Sequence, residues 1–195
     1  MLAFKRCRYM QTNIELEYKT LVSREQFILL QTYFAPQERR IQINHYYDFP
    51  DFSLLKSHQM VRVREFKDSF EFTLKMYDKD GNLLEFAKTV SANSLNDPEI
   101  FAFLKDHGID TESLTERACL RTDRSIYRDE YGELCFDINT YKDKTDYEIE
   151  YEMVHNTDQF YQRYLSILKK ADIEYQPSLP KVMRCIKEYY QVSDN

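Results

Sequence analysis

Hydrophobic and polar positions alternate with a period of two in eight stretches of this chain, at about residues 13–21, 41–48, 59–66, 69–77, 83–90, 117–127, 133–141 and 146–154. Alternation of this kind predicts strands that bury one face. Asp80-Gly81-Asn82 joins the fourth stretch to the fifth, and Tyr131-Gly132 joins the sixth to the seventh. In both, glycine is expected to supply a positive φ, so these pairs are predicted to run antiparallel. Four amphipathic helices interrupt the strands. Ser23 and Gln26 form a capping box ahead of Phe27, Leu30 and Phe34, and Asp97-Pro98 caps a helix carrying Ile100, Phe103 and Leu104 that Gly108 closes. A third helix starts near Thr157 or Asp158 with Phe160, Tyr164, Leu165 and Leu168 on one side, and a fourth runs from Pro180 to Tyr189. Each apolar stripe is expected to lie against a sheet. Eight strands suffice to close a barrel.

The polar faces of four strands are unusual in being fully ionised. Glu15, Glu17 and Lys19 alternate with Ile14, Leu16 and Tyr18; Arg62 and Arg64 alternate with Val61 and Val63. Phe70–Lys75 and Asp146–Glu152 repeat the split. A solvated sheet surface explains any one of these strands. It does not explain grouped acids on two strands and grouped bases on two others. Glutamate is a poor strand former, and like charges roughly 7 Å apart along a strand repel. The division fits a site in which carboxylates hold Mg²⁺ or Mn²⁺ and basic side chains hold phosphate oxygens. So many inward charges require a hydrated cavity. A closed eight-stranded antiparallel barrel, an α+β fold dominated by β, with charged lumen and helices outside, meets that requirement.

Composition narrows the choice. Of 195 residues, 43% are hydrophobic and 31% charged, with only three glycines, as expected of one folded domain. Residues 1–10 carry Lys5, Arg6 and Arg8 without periodicity and are read as an extension, with translation from Met1 or Met10 equally compatible; residues 11–192 are read as the single domain. A formal net charge of −6 argues against a nucleic-acid coat protein. No stretch approaches the ~20 apolar residues of a membrane span, and no signal peptide is legible. Cys7, Cys119, Cys135 and Cys185 have no paired spacing, which suggests reduced thiols in the cytoplasm. His45, His58, His107 and His155 lack metal-ligand spacing, and no glycine-rich phosphate loop exists. Nothing forces an oligomer, so monomer and homodimer both stand.

Taken in order along the chain, these residues resemble the CYTH family, the triphosphate tunnel metalloenzymes. The E-x-E-x-K signature reads Glu15, Glu17, Lys19; after it come Tyr46-Tyr47-Asp48, the Arg62/Arg64 pair, Phe-Thr-Leu-Lys ending at Lys75, Arg124, Asp137, Glu150/Glu152 and Pro180-Lys181. The resemblance spans about residues 13–190. It implies divalent-metal binding by Glu15, Glu17, Asp137, Glu150 and Glu152, with Glu148 the less favoured acid of its strand. Phosphate binding is implied for Lys19, Arg62, Arg64, Lys75, Arg124 and Lys181. Asp137, Arg62, Arg64 and Arg124 are implied in catalysis. Glu85 is weighed as a further inward acid against a plain hairpin charge. The implied activity is metal-dependent hydrolysis of tripolyphosphate or an organic triphosphate. The alternatives are a class IV adenylate cyclase and a non-catalytic polyphosphate or nucleotide sensor, the latter disfavoured by the full set of acids.

Overall fold

A computed structural model describes residues 10–14, 16–153 and 158–191 of the chain. The fold is α+β and dominated by β. Its nine strands are β1 (Gln11–Ile14), β2 (Glu17–Val22), β3 (Glu38–Asp48), β4 (Met60–Glu65), β5 (Phe70–Tyr77), β6 (Leu83–Val90), β7 (Thr115–Arg128), β8 (Gly132–Tyr141) and β9 (Lys144–Met153). The helices are α1 (Arg24–Phe34), α2 (Ser53–Lys56), α3 (Pro98–Asp106), α4 (Asp158–Lys169) and α5 (Lys181–Tyr190). The strand order is β1-β6-β5-β4-β3-β7-β8-β9-β2.

That order corrects the closed eight-stranded barrel. Among the described residues there are nine strands, and no ladder joins β1 to β2. The stretch read as one strand over 13–21 is two. Ile14 pairs with Leu84 of β6, whereas Glu17 pairs with Glu152 of β9. Alternation keeps its phase through Ile14, Leu16 and Tyr18, so the pattern carries no mark of the change of partner. Glu15 lies outside the described residues, as do residues 1–9 and Thr157.

The chain forms two compact units, one built on Met1–Ile14 and His45–Arg117, the other on Glu15–Asn44 and Ala118–Asn195. In the first, β4 and β5 pair antiparallel with Val61 opposite Leu74 and Val63 opposite Phe72. These side chains are buried with Phe86 of β6 and with Ile100, Phe103 and Leu104 of α3. Asp97 caps α3 by accepting from the backbone N–H groups of Glu99 and Ile100, Pro98 takes the first turn, and Gly108 leaves it at φ 76°. The short α2 has no sequence signal of its own. Asp48 creates it, its carboxylate accepting from the N–H groups of Phe49 (2.7 Å), Leu54 (3.0 Å) and Leu55 (3.0 Å).

In the second unit, β8 presents Leu134 and Phe136 and β9 presents Ile149 and Tyr151 to α1 and α4. Helix α1 begins at the expected Ser23–Gln26 capping box and buries Phe27, Leu30 and Phe34. Helix α4 buries Phe160, Tyr164, Ile167 and Leu168, with Ile167 rather than the expected Leu165 completing the stripe. Each such side chain contributes about 1.5–3 kcal/mol of burial. Gly132 begins β8 without a positive φ. It is required by proximity, because a Cβ there would stand 2.1 Å from the Glu152 carbonyl oxygen.

Candidate functional site

In the second unit, the face of the sheet opposite the apolar core is rich in ionisable groups. Ile149 and Tyr151 of β9 enter the core, so Glu148, Glu150 and Glu152 project from the other face. The register sets Asp137 opposite Glu148, Arg124 opposite Asp137, Lys19 opposite Glu150 and Glu17 opposite Glu152. Asp137 and Glu148 are fully buried, and Glu150 is 4% exposed.

Buried carboxylates persist only when paired and hydrogen-bonded. The Arg124 guanidinium grips Asp137 with two bonds of 2.7 Å and also donates to Glu152 (2.6 Å) and Glu150. Lys181, the first residue of α5, places its ammonium 2.6 Å from Asp137, 2.5 Å from Glu150 and 3.1 Å from Glu148. Arg184, one turn on, bonds both oxygens of Glu148 at 2.9 and 3.0 Å and reaches Asp146 at 3.1 Å. Ser178 donates to Glu148 at 2.5 Å. Lys19 pairs with Glu17.

The electrostatics follow. Burial alone pushes the Glu150 carboxyl up, but Lys181, Arg124 and Lys19 outweigh it and hold the group well below the usual carboxylate range. Burial pushes the Lys181 ammonium down, and Asp137, Glu148 and Glu150 reverse this, leaving it well above an ordinary lysine. Lys19 is raised in the same sense, burial opposing and Glu17 and Glu150 prevailing. Beside these groups the Cys135 thiol is pushed well up by burial.

Two sets of carboxylates bring one oxygen each within 4.8 Å of one another: Asp137, Glu148 and Glu150, and Glu17, Glu150 and Glu152. Oxygen-only donor sets of this charge fit hard divalent cations such as Mg²⁺ and Mn²⁺. A third set, Glu133, Cys135 and Glu152, includes a thiol that burial keeps protonated and fits such ions poorly.

The first unit has a polar face of its own. Arg62 and Arg64 of β4 share it with Thr73 and Lys75 of β5 and Glu85 of β6. Lys75 lies 2.9 Å and Arg62 3.7 Å from Glu85, and Arg64 lies 3.8 Å from Glu71. Glu85 is thus a part-buried ion-pair partner of Lys75 and Arg62. The Nε of Arg62, a residue 7% exposed, and the Oγ1 of Thr73 opposite it are buried without a hydrogen-bond partner.

The structure therefore brings together Glu17, Lys19, Arg124, Asp137, Glu148, Glu150, Glu152 and Lys181 on one face of the second unit. Arg62, Arg64, Lys75 and Glu85 share one face of the first. Lys19, Arg124 and Lys181, expected to meet phosphate, are each bonded to carboxylates. Asp146 was read as part of an ionised strand face but not as a site residue, and Arg184 and Ser178 were not foreseen. The one signal for Arg184 is its three-residue spacing from Lys181, which sets both on one side of a helix.

Comparison with known proteins gives the context. The CYTH domain family model matches residues 13–185. YjbK of Bacillus subtilis (strain 168), a protein named as a candidate triphosphatase, is 28% identical over 193 residues, 92% of this chain and 97% of its own length. A solved structure from Bacillus halodurans, named as a candidate adenylate cyclase, is 33% identical and covers 89% of this chain and 97% of its own, with a TM-score of 0.80. HpAC1 from Hippeastrum, titled as an adenylyl cyclase candidate with a dominant triphosphatase activity, is 20% identical with a TM-score of 0.70, covering 90% and 96%. At that identity the last is a likeness of fold.

Proposed function

The chain belongs to the CYTH domain family, and from that premise we propose that it is a divalent-metal-dependent hydrolase of tripolyphosphate or an organic triphosphate, acting through residues of one domain spanning 11–192. The observation that carries this reading is the buried Asp137–Glu148–Glu150 triad, three carboxylates converging in a protein interior. A phosphate-binding module needs bases; it does not need converging acids, whose burial costs stability.

Asp137, Glu148 and Glu150 would hold one cation, and Glu17 with Glu150 and Glu152 offers a second set. A cation bound there supplies Lewis-acid neutralisation of phosphate oxygens and assists the attack of water. The chain's own residues do the rest. Arg124 fixes both oxygens of Asp137 and so orients the triad. On the first unit, Arg62 and Arg64 offer fork-shaped donors and Lys75 a point charge, and the unpartnered Arg62 Nε is a buried donor suited to a phosphoryl oxygen. Binding of phosphate charge is assigned on the first unit to Arg62, Arg64 and Lys75 and, separately, on the second unit to Lys19, Arg124 and Lys181.

An adenylate cyclase is the second reading, favoured by the name given to the Bacillus halodurans relative. Purified protein with Mn²⁺ or Mg²⁺, offered tripolyphosphate, ATP and thiamine triphosphate, separates the two: orthophosphate release is expected, whereas pyrophosphate with cyclic AMP from ATP would overturn the hydrolase. Glu17→Gln is expected to lower metal-dependent turnover by about 100-fold or more with an unchanged circular dichroism spectrum. Undiminished turnover would remove Glu17 from the metal set.

A further inference from the structure

Resting on the metal-dependent reading above, we propose that the Lys181 ammonium and the divalent cation are alternative occupants of the Asp137–Glu148–Glu150 triad. Cation entry then detaches the head of α5 and frees Lys181 for substrate.

The same atoms are in demand. Lys181 Nζ takes Asp137 Oδ2, Glu148 Oε2 and Glu150 Oε1, one oxygen from each member of the triad. A hard cation drawing one oxygen from each carboxylate competes for these lone pairs. Charge gives the second argument. Of the three cations that meet the triad, Arg124 on Asp137 and Glu150 is shared with Glu152 and Arg184 on Glu148 is shared with Asp146, whereas Lys181 meets all three members of the triad. A divalent cation that takes these oxygens leaves the Lys181 ammonium without them beside a second positive charge, and an ammonium so placed in a buried site is driven out.

Geometry singles out the same ammonium. Arg124 sits within the β7–β8 ladder and binds Asp137 through two nitrogens. Arg184 touches neither Asp137 nor Glu150 and is tied down by Asp146 and by the Leu179 carbonyl at 2.5 Å. Lys181 is a single ammonium on a flexible stem. It opens a helix whose N-cap, Pro180, makes no side-chain capping bond. Lys181 is the member that yields, while Arg184 keeps α5 anchored at its next turn. The consequence is an order of events, with the cation loaded first and the lysine then available to a phosphate oxygen.

The test uses the full chain without substrate. Free Mn²⁺ is followed by electron paramagnetic resonance in titrations of wild type, Lys181→Met and, as a control for net charge at an exposed position, Lys170→Met. Lys181→Met is expected to bind Mn²⁺ about tenfold tighter or more, as removal of a competitor must by linkage, with Lys170→Met unchanged. Hydrogen exchange on wild type gives a readout that needs no variant: amides of 181–190 are expected to exchange faster with Mn²⁺ present. Equal or weaker Mn²⁺ binding by Lys181→Met, or exchange in 181–190 unmoved by Mn²⁺, overturns the exchange of occupants while leaving the metal site standing. Absence of Mn²⁺ binding in wild type and variant alike overturns the metal reading and this inference with it.

Discussion

Glu85 shows how a single charge on a strand face is held and how it reports on pH. Burial pushes its carboxyl up, yet Lys75 at 2.9 Å and Arg62 at 3.7 Å outweigh burial and bring it from 4.5 down to about 2. A folded pKa below the unfolded one means the ion pairs contribute fully above about pH 4.5 and fade as pH falls through about 2. The shift corresponds to at most about 3 kcal/mol, reduced by residual solvent screening. Urea unfolding of wild type and Glu85→Gln is therefore expected to show a stability gap near pH 7 that is markedly smaller near pH 3. A gap independent of pH would show that Glu85 contributes through packing alone. At this scale much of the site is legible in the sequence, because strand parity sorts Lys19, Arg124, Asp137 and Glu150 onto one face without knowledge of their partners. Parity cannot rank acids on one strand, and Glu148, the less favoured of its three, lies deepest with Asp137. Arg184 escaped because a helix residue gives no hint of which sheet it meets.

Among the elements, strands and caps were legible where a local rule decides them. The Ser23 box, the Asp97–Pro98 start and the Gly81 turn at φ 84° all rest on contacts within a few residues. Helix α2 was not legible, since the bonds to its Leu54 and Leu55 N–H groups depend on where the buried Asp48 side chain points. Gly132 was given the wrong reason: the constraint is the neighbouring strand, not its own φ. The two glycines therefore predict different penalties. Gly132→Ala drives a Cβ into the Glu152 carbonyl at 2.1 Å, where neither backbone can yield cheaply, and is expected to cost about 3 kcal/mol. Gly81→Ala meets nothing within 4 Å and bears only left-handed strain, about 1 kcal/mol. Thermal unfolding of the two variants checks the order. Because Gly132 presses on the strand that carries Glu150 and Glu152, its alanine variant is also expected to lose metal-dependent turnover, and Gly81→Ala is expected to keep it.

For the whole molecule, the sequence indicated an antiparallel, β-dominated α+β chain but not the strand order, because alternation records which face is buried and never which strand is adjacent. The two compact units were hidden for a related reason. Strands β3 and β7 each run from one unit into the other without a break in pattern, at residues 44–45 and 117–118. Net charge, by contrast, is a property of the whole chain that sequence gives outright. At −6 the molecule repels long polyanions at distances where individual side chains are not resolved. Short-range attraction by individual basic side chains acts within about one Debye length, about 8–10 Å at ordinary salt. A triphosphate is small enough to sit wholly inside that range, whereas a duplex exposes many more phosphates to the net negative field. Fluorescence anisotropy of a labelled duplex is accordingly expected to stay flat with this protein even at low salt, where any electrostatic binding is strongest. Unlabelled tripolyphosphate is expected to bind under the same conditions by calorimetry with Mn²⁺ present. Salt-sensitive duplex binding at micromolar protein would show that local basic faces, rather than net charge, govern which polyanions this chain accepts.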